Sequence, residues 1–263
     1  MNDLHAGYLQ EHTDILSLRE LSDGTIRCYA SYLIRFLDWS ESQLSCPDVK
    51  DISWPQVREY INYLKYICKL NPRTINGHIS QLKDFFEYVL HRVWNRYEIP
   101  FMRYDRKLPA VPSFEQVNTI IDSIQNPKHK AQIALLYSSG IRVSELCRLK
   151  CGDIEASQGR IHISVSKNRC ERYAILSQKA LGILTAYIRS SYPHAAKDSW
   201  LFPGQKAGKH VTTEAVRQVF KHALSDLNWD DKGFTLHKSP SCIRPSSAPE
   251  RRGSYDDQRG HGT

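Results

Sequence analysis

The sequence predicts a mainly α-helical protein with two domains and a small antiparallel sheet in the second. Apolar residues recur at helical spacing behind capping residues, two short runs alternate polar and apolar residues, and a proline-rich charged segment separates the halves. A chain of 263 residues is long enough for two small domains. We expect domains at residues 1–99 and 113–237, a linker at 100–112 and a tail at 238–263.

The first domain is predicted to be a compact bundle of four helices with short loops. Its first helix is expected around residues 7–20, and Pro55 lies in the first turn of the third. The aromatic residues of the helical stripes are expected to form the core. The residues that cap the last three helices are Ser22 or Asp23, Ser53 and Asn71. Their apolar stripes are Ile26, Tyr29, Leu33 and Phe36; Val57, Ile61, Leu64 and Ile67; and Ile75, Ile79, Leu82, Phe86 and Val89.

The second domain is predicted to be α-rich around two β-strands. Alternating residues predict strands at 160–165 and 172–176, joined by a polar hairpin connection. Residues 200–204 are predicted to be a short buried stretch that ends in a turn. Helices are predicted over residues 113–125, 127–139, 142–150, 177–191 and 212–227.

The net charge of +8 is concentrated in the second half of the chain. Residues 1–111 carry 14 basic and 14 acidic side chains, residues 112–237 carry 17 and 11, and residues 238–263 carry 5 and 3. A basic domain points to a polyanionic partner, most often nucleic acid, although solubility alone is an alternative explanation.

The sequence contains no signal for a membrane, a metal or an organic cofactor. No apolar run approaches the ~18 residues that would span a bilayer, and the first thirty residues are polar and charged. The seven cysteines form no paired C-x-x-C spacing, so neither zinc nor a disulfide framework is expected. We expect free thiols and a cytoplasmic location.

The most informative block is at residues 138–149. Arg142 follows a turn at Gly140, and Glu145 lies one helical turn further on. A guanidinium at a helix start suits phosphate, because its planar fork matches phosphate oxygens and the helix end offers N–H groups. The alternative is a simple ion pair between Arg142 and Glu145, which stabilises a helix by only about 0.2–0.5 kcal/mol.

Four motifs in this order resemble the tyrosine recombinase (phage integrase) family. The resemblance covers roughly residues 8–237, and the N-terminal segments 25–29 and 73–76 resemble the family's core-binding domain. The motifs are residues 140–146 followed by Leu149 and Asp153, then Lys167, residues 200–203 and residues 234–237.

The resemblance implies a SAM-like core-binding domain and a catalytic domain of the DNA breaking–rejoining type. The two domains would grip double-stranded DNA in a C shape. The intact protein would act on DNA as a dimer or tetramer. In such a family a tyrosine hydroxyl attacks a DNA phosphodiester, leaving a 3′-phosphotyrosine and a free 5′-hydroxyl. No metal is needed, because cationic side chains hold the charge of the transition state.

The resemblance also implies roles for particular residues. Arg142 would bind a non-bridging phosphate oxygen, Lys167 would protonate the leaving 5′-oxygen, and His237 would hydrogen-bond the phosphate or assist proton transfer. Glu145 is expected to orient local groups. Outside the resemblance, Lys167 is a surface loop lysine and His237 an ordinary histidine. The expected DNA contacts are Arg27, Arg73, Arg169 and Arg172, the last two being rivals of Lys167 for the phosphate.

The family pattern fails directly after His237. The family has an arginine three residues later, where this chain has Pro240. Tyr255 follows His237 by only 18 residues, too few for the family's nucleophile, and His261 is not expected to replace the family's second histidine. Residues 238–263 contain almost no aliphatic side chains and are expected to be disordered.

A one-base frameshift near codon 238 is our hypothesis for this tail. A permitted back-translation of residues 238–247, read one base later, encodes S-L-R-H-A-F-A-H-L-L. After His237 this restores the family's His-x-x-Arg box. The same shift through residues 254–263 can restore its Gly-His pair. The nucleotide sequence across codon 238 and beyond the stop tests the hypothesis.

The sequence therefore predicts a site-specific recombinase or integrase, of a mobile element by ancestry. The chain lacks the second arginine, the second histidine and the nucleophile, so no strand transfer is expected from it alone. The alternatives are a non-catalytic DNA-binding protein that occupies recombination sites, and a pseudogene product that scarcely folds.

Overall fold

The fold consists of two compact units, and the chain passes from one to the other between residues 107 and 108. The first unit is entirely helical in its described part, and the second combines helices with a three-stranded sheet. No helix among the described residues is long and apolar enough to cross a membrane. The structure, a computed structural model, describes residues 2–44, 48–105, 110–164, 171–193 and 195–236.

The described part of the first unit contains four α-helices, as predicted. Ser53 and Asn71 cap the third and fourth: the backbone N–H of Ser53 donates to Gln56 Oε1 at 2.9 Å, and Asn71 Oδ1 accepts from the N–H of Thr74 at 2.9 Å. A 3₁₀ turn at Val49–Asp51 precedes the third helix. The helices are α1 (Asp3–Leu18), α2 (Asp23–Leu44), α3 (Trp54–Asn62) and α4 (Pro72–Tyr88).

Aromatic side chains fill the core of the first unit. The Phe36 and Tyr60 rings meet edge to face at 5.1 Å between centroids, and Phe85 meets Phe86 edge to face at 6.0 Å. All four side chains are fully buried. Such pairs each contribute about 0.5–1.5 kcal/mol beyond their area burial. The prediction that the aromatic residues of the stripes form a core is confirmed for Phe36 and Phe86 but not for Tyr29.

Three positions of the predicted stripes lie outside the core: Ile26 and Tyr29 on α2, which are only half-buried, and Ile67. A π-helical turn over Tyr63–Ile67 follows α3, and Ile67 is 70% exposed instead of continuing the buried stripe. The wider turn shifts each following residue around the helix axis, so a spacing counted at 3.6 residues per turn no longer applies. Leu64, at the start of the turn, stays buried.

The second unit surrounds the predicted strands with helices. A short first strand, which the sequence did not predict, pairs antiparallel with the second strand. The second strand pairs antiparallel with the third. In the latter pair Ile161 lies opposite Ala174 and Ile163 opposite Arg172. The elements are α5 (Phe114–Ser123), α6 (Pro127–Ser139), α7 (Val143–Cys147), β1 (Ile154–Glu155), β2 (Arg160–Ile163), β3 (Arg172–Ile175), α8 (Gln178–Ser191) and α9 (Thr213–Asp226).

The predicted helix over residues 142–150 is shorter than expected, because α7 ends at Cys147. Beyond it the chain turns at Arg148, and Lys150 is extended and forms an antiparallel bridge with Trp200. The N–H of Leu201 donates to the carbonyl of Leu149 at 2.8 Å, and that of Cys151 donates to Ser199 at 2.9 Å. These bonds compete with continuation of the helix and fix the end of the segment that carries Arg142.

The predicted buried stretch at residues 200–204 anchors the second core. Leu201 and Phe202 are fully buried, and the Phe202 ring stacks on Tyr187 at 5.6 Å between centroids. The hydroxyl of Tyr187 donates to the carbonyl of Leu201 at 3.2 Å. The stretch therefore ties α8 to the bridge beside α7.

Histidines are buried among the helices of the first unit. His12 on α1 packs edge to face on Phe85, and His78 on α4 stacks on Tyr32 and contacts the Tyr60 hydroxyl through Nδ1 at 3.2 Å. Burial lowers the pKa of His12 to about 4; the charge of Asp84 partly opposes this shift and that of Arg19 adds to it. Burial, assisted by Arg35, lowers the pKa of His78 to about 4 as well.

We predict that the first unit loses stability as the pH falls from about 6.5 to about 4. Both folded pKa values lie below the ordinary value of 6.5. In this pH window the unfolded chain therefore binds more protons than the folded chain. Protonation of each histidine lowers the free energy of unfolding by up to about 3 kcal/mol, and none of this loss occurs above pH 6.5. Hydrogen–deuterium exchange of α1 and α4 peptides across this range measures the effect. His12→Leu should remove about half of the dependence, and an unchanged dependence in this variant would contradict the assignment.

Candidate phosphate-binding site

The turn at the end of α6 positions Arg142. Gly140 ends the helix with a φ of 63°, in the left-handed region that glycine adopts without strain, and its N–H donates to the carbonyl of Leu136 at 3.1 Å. Ile141 then inserts into the core. Arg142 follows in extended conformation as the N-cap residue of α7. A buried apolar residue on either side of Arg142, Ile141 and Val143, holds its backbone in place.

Glu145 is the centre of the site. Its Oε2 accepts the backbone N–H of Arg142 at 2.8 Å, and its Oε1 accepts Nη1 of the same residue at 2.8 Å. Oε2 also accepts Nη2 of Arg172 at 2.6 Å. The residue is only 4% exposed, so its carboxylate depends on these donors. One buried acid thus binds two guanidinium groups.

The two arginines remain accessible to a ligand. The Arg142 side chain is 49% exposed and that of Arg172 is 37% exposed. Two positive charges and one negative charge leave the cluster with an excess of +1. Each guanidinium has five N–H donors, and the side-chain bonds to Glu145 use one from each. The cluster is therefore suited to an anion with several oxygen acceptors.

Arg172 reaches Glu145 because of its register in the sheet. It lies opposite the buried Ile163 and shares its face of β3 with the buried Ala174. The neighbouring Tyr173 and Ile175 are exposed on the other face. The sequence predicts Arg172 as a DNA contact and as a rival of Lys167 for the phosphate. Its link to Glu145 could not be deduced, since 27 residues separate the two in the chain.

The remaining motif residues near α7 have structural contacts. Leu149 is buried and its carbonyl accepts from Leu201. The Asp153 carboxylate accepts the N–H of Lys150 at 2.7 Å and so fixes the turn after the bridge. These contacts explain why such residues accompany Arg142. Because α7 has five residues, the candidate anion site consists of guanidinium groups rather than a helix end.

The other predicted site residues lie outside the described residues or belong to the first unit. Lys167, Arg169 and His237 lie outside the described residues, as do Pro240, Tyr255 and His261. Arg27 is exposed on α2, and Arg73 is exposed in the first turn of α4, both in the first unit. Within the described ranges, no group of three or more His, Cys, Asp or Glu residues could hold a metal ion.

Comparison with known proteins identifies the family. Residues 112–242 match the phage integrase family, and residues 8–96 match the N-terminal SAM-like domain of phage integrases. A protein of Sinorhizobium fredii described as an integrase/recombinase, y4eF, is 36% identical over 175 residues, which cover 65% of this chain and 68% of that protein. The tyrosine recombinase XerC of Halalkalibacterium halodurans is 28% identical over 86% of this chain and 77% of its own length.

Solved structures share the fold at lower identity. The Tn1549 transposon integrase, crystallised with circular intermediate DNA, matches with a TM-score of 0.67 and 18% identity over 88% of this chain and 83% of that one. XerH bound to its difH substrate matches with a TM-score of 0.61 and 19% identity over 81% of this chain and 66% of that one.

Because both family models match, this chain belongs to the tyrosine recombinase (phage integrase) family.

We predict that Glu145→Gln destabilises the second unit by about 1–3 kcal/mol, because the loss of charge weakens three hydrogen bonds in a buried place. The matched control is Glu155→Gln. Glu155 accepts from Arg160 at 2.7 Å, but both side chains are about one-third exposed, so that change should cost less than about 1 kcal/mol. Urea unfolding of both variants measures the difference. Equal losses would show that Glu145 has no special role.

Proposed function

We propose that this chain binds double-stranded DNA and holds one backbone phosphate between Arg142 and Arg172. The observation that carries this proposal is the buried Glu145 carboxylate, which binds both guanidinium groups. Orienting two exposed cations with one buried anion fixes their spacing before the ligand arrives, and such preorganisation lowers the free-energy cost of binding. The role of Glu145 in this proposal is to position the arginines.

The connection between β2 and β3 supplies a further cation in this proposal. Lys167 is four residues from Ile163 and five from Arg172 along the chain, and these two residues are register partners. A lysine so close in sequence to the arginine cluster suits the protonation of a leaving 5′-oxygen, and Arg169 adds a phosphate contact. His237, one residue beyond Leu236, would hydrogen-bond the phosphate.

Related proteins support DNA as the partner and an oligomer as the working form. One matched structure is a λ integrase dimer bound to a core site, and another is a λ integrase tetramer bound to a Holliday junction. The first unit would add contacts through Arg27 and Arg73, and the basic second unit would attract DNA in the cytoplasm.

We further propose that the chain does not carry out strand transfer by itself and acts as a DNA-binding module at recombination sites. The match to the phage integrase family ends at residue 242, and Pro240 stands where the family's arginine is expected. A frameshift near codon 238 accounts for both facts. Without the tyrosine nucleophile no covalent intermediate forms, however well Arg142 holds the phosphate.

We predict that Arg142→Ala and Arg172→Ala each weaken binding to a short duplex and lower the slope of log K against log salt by about 1. Arg142→Lys keeps the charge but loses the planar fork, so it should reduce affinity with little change of slope. Fluorescence anisotropy between about 50 and 200 mM salt provides the measurement. Arg160→Ala, on the outer face of the sheet, is the control. If it matches the other two alanine variants, the phosphate site is not at Glu145.

We predict binding without covalent capture on a nicked suicide substrate that carries the DNA flanking the gene. A gel shift run beside a denaturing gel distinguishes the two outcomes, because only a phosphotyrosine survives denaturation. A covalent adduct would contradict the proposal, and Tyr255→Phe would then show whether Tyr255 is the nucleophile. Failure to bind DNA at all would favour a product that scarcely folds.

A further inference from the structure

Helix α1 has an exposed face that points away from the core of the first unit. Leu4 and Leu18, near its two ends, are 45% and 83% exposed. Gly7, Glu11 and Asp14 lie between them, and all three are exposed. Spacings of three and four residues place these five residues on one side of the helix. We call this set the α1 face.

The α1 face is acidic, and its charges form no ion pair with the described residues. Residues 1–18 contain three acidic side chains and no lysine or arginine. Asp14 accepts a hydrogen bond from the neutral amide of Gln10 at 2.8 Å. A Cβ added at Gly7 would meet no atom within 4 Å, so the packing of this unit does not require a glycine there. A glycine inside a helix costs about 0.5–1 kcal/mol relative to alanine, and it lets another chain approach closely.

The same unit has a basic hollow of about 400 Å³, formed mostly by the chain that follows α4. Val93 and Tyr97 on its wall are 88% and 82% exposed. The Arg96 guanidinium lies over the Tyr97 ring, 4.9 Å from its centroid, and it forms no ion pair with a described residue. No described Asp or Glu lines the hollow. Its lining residues are Trp54, Val93, Trp94, Asn95, Arg96 and Tyr97.

Arg92 adds a second positive charge beside the basic hollow. Its guanidinium lies 5.2 Å from the centroid of the Trp54 ring, and its Nη1 donates to the carbonyls of Lys50 at 3.0 Å and Ile52 at 2.8 Å. These neutral carbonyls leave the charge of Arg92 uncompensated. The sequence shows the same division, because residues 1–90 carry 9 basic and 12 acidic side chains and residues 91–111 carry 5 and 2. The first unit, neutral as a whole, therefore has an acidic and a basic surface.

We propose that the α1 face of one copy of this chain packs on the basic hollow of a second copy, with Leu18 in the hollow and Asp14 against Arg96. Every copy carries both surfaces, and within one copy their described charges are not paired with each other. Asp14 precedes Leu18 by one turn, about 6 Å along the helix axis, which the long Arg96 side chain can span. Leu18 would exchange water for contact with Val93 and Tyr97, which favours association.

This contact between copies rests on the oligomer in the proposed function and defines the surfaces through which the copies meet. Helix α1 has 16 residues and is about 24 Å long, so the contact is smaller than a standard interface of about 800 Å² per partner. The copies should therefore associate weakly in solution. They should associate more strongly where DNA holds them side by side, because the second contact is then intramolecular. DNA itself does not suit the α1 face, since both are negatively charged.

Sedimentation velocity of the full chain without DNA tests the contact. The sedimentation coefficient of the wild type should rise with protein concentration. Asp14→Arg and Arg96→Glu reverse charges at exposed positions, and each should weaken self-association at least about tenfold. An equimolar mixture of the two variants should associate like the wild type, because each variant supplies the opposite charge that the other needs. No rise for the wild type, or a mixture that associates no better than either variant alone, would overturn the proposal.

Further variants separate the parts of the contact. Leu18→Ala should weaken self-association at least about tenfold and leave the stability of the monomer unchanged, because this side chain is 83% exposed. Lys65→Glu, a charge reversal on the π-helical turn outside both surfaces, is the matched control and should associate like the wild type. Arg142→Ala should also associate normally while it binds DNA more weakly, so failure of the phosphate site and failure of this contact are distinguishable. Unchanged association in Leu18→Ala or in Asp14→Arg would refute the assignment of the α1 face.

Binding to a duplex too short for two copies shows whether the basic hollow contacts DNA instead. Arg96→Glu and Lys65→Glu make the same change in net charge. In fluorescence anisotropy Arg96→Glu should therefore bind this duplex no more weakly than Lys65→Glu does. A loss of affinity confined to Arg96→Glu would make the hollow a DNA contact and overturn the proposal.

Discussion

A single buried carboxylate determines the geometry of the arginine cluster. Glu145 accepts from the backbone of Arg142, from its side chain and from Arg172, which the chain contributes from a different element. A carboxylate that is 4% exposed is stable only with such partners. The two guanidinium groups stay partly exposed, so they lose little hydration when Glu145 holds them. The turn at Gly140, the bridge between Lys150 and Trp200 and the register of β3 all keep these three residues in place.

Only some residues of the motif that marks the family can therefore bind a ligand, and the others hold the fold together. Leu149 and Leu201 are joined by a backbone hydrogen bond, and Leu201 with Phe202 fills the core beside Tyr187. Asp153 fixes the turn that follows the bridge. A sequence pattern that combines these residues with Arg142 describes a packed scaffold and the cation it presents. Such a pattern identifies the family through its scaffold as well as through the cation.

Much of the fold could be predicted from local rules. The side chain of Asn71 accepts a free N–H at the start of α4, and Gln56 accepts the N–H of Ser53 at the start of α3. The stripes that contain Phe36 and Phe86 form a core. Ile67 could not be placed, because a π-turn depends on packing across the bundle rather than on spacing. For the site, Arg142 and Glu145 are neighbours in sequence and could be paired, but Arg172 joins them only through strand register.

Helix α6 connects the core of the second unit to the arginine cluster. Its last residues lead through Gly140 to Arg142. Residues 131–137 are all buried, so substitutions in this stretch change the packing of the core. A change in the length of the helix, even by one residue, would rotate the direction in which the chain leaves it toward Arg142 by about 100°.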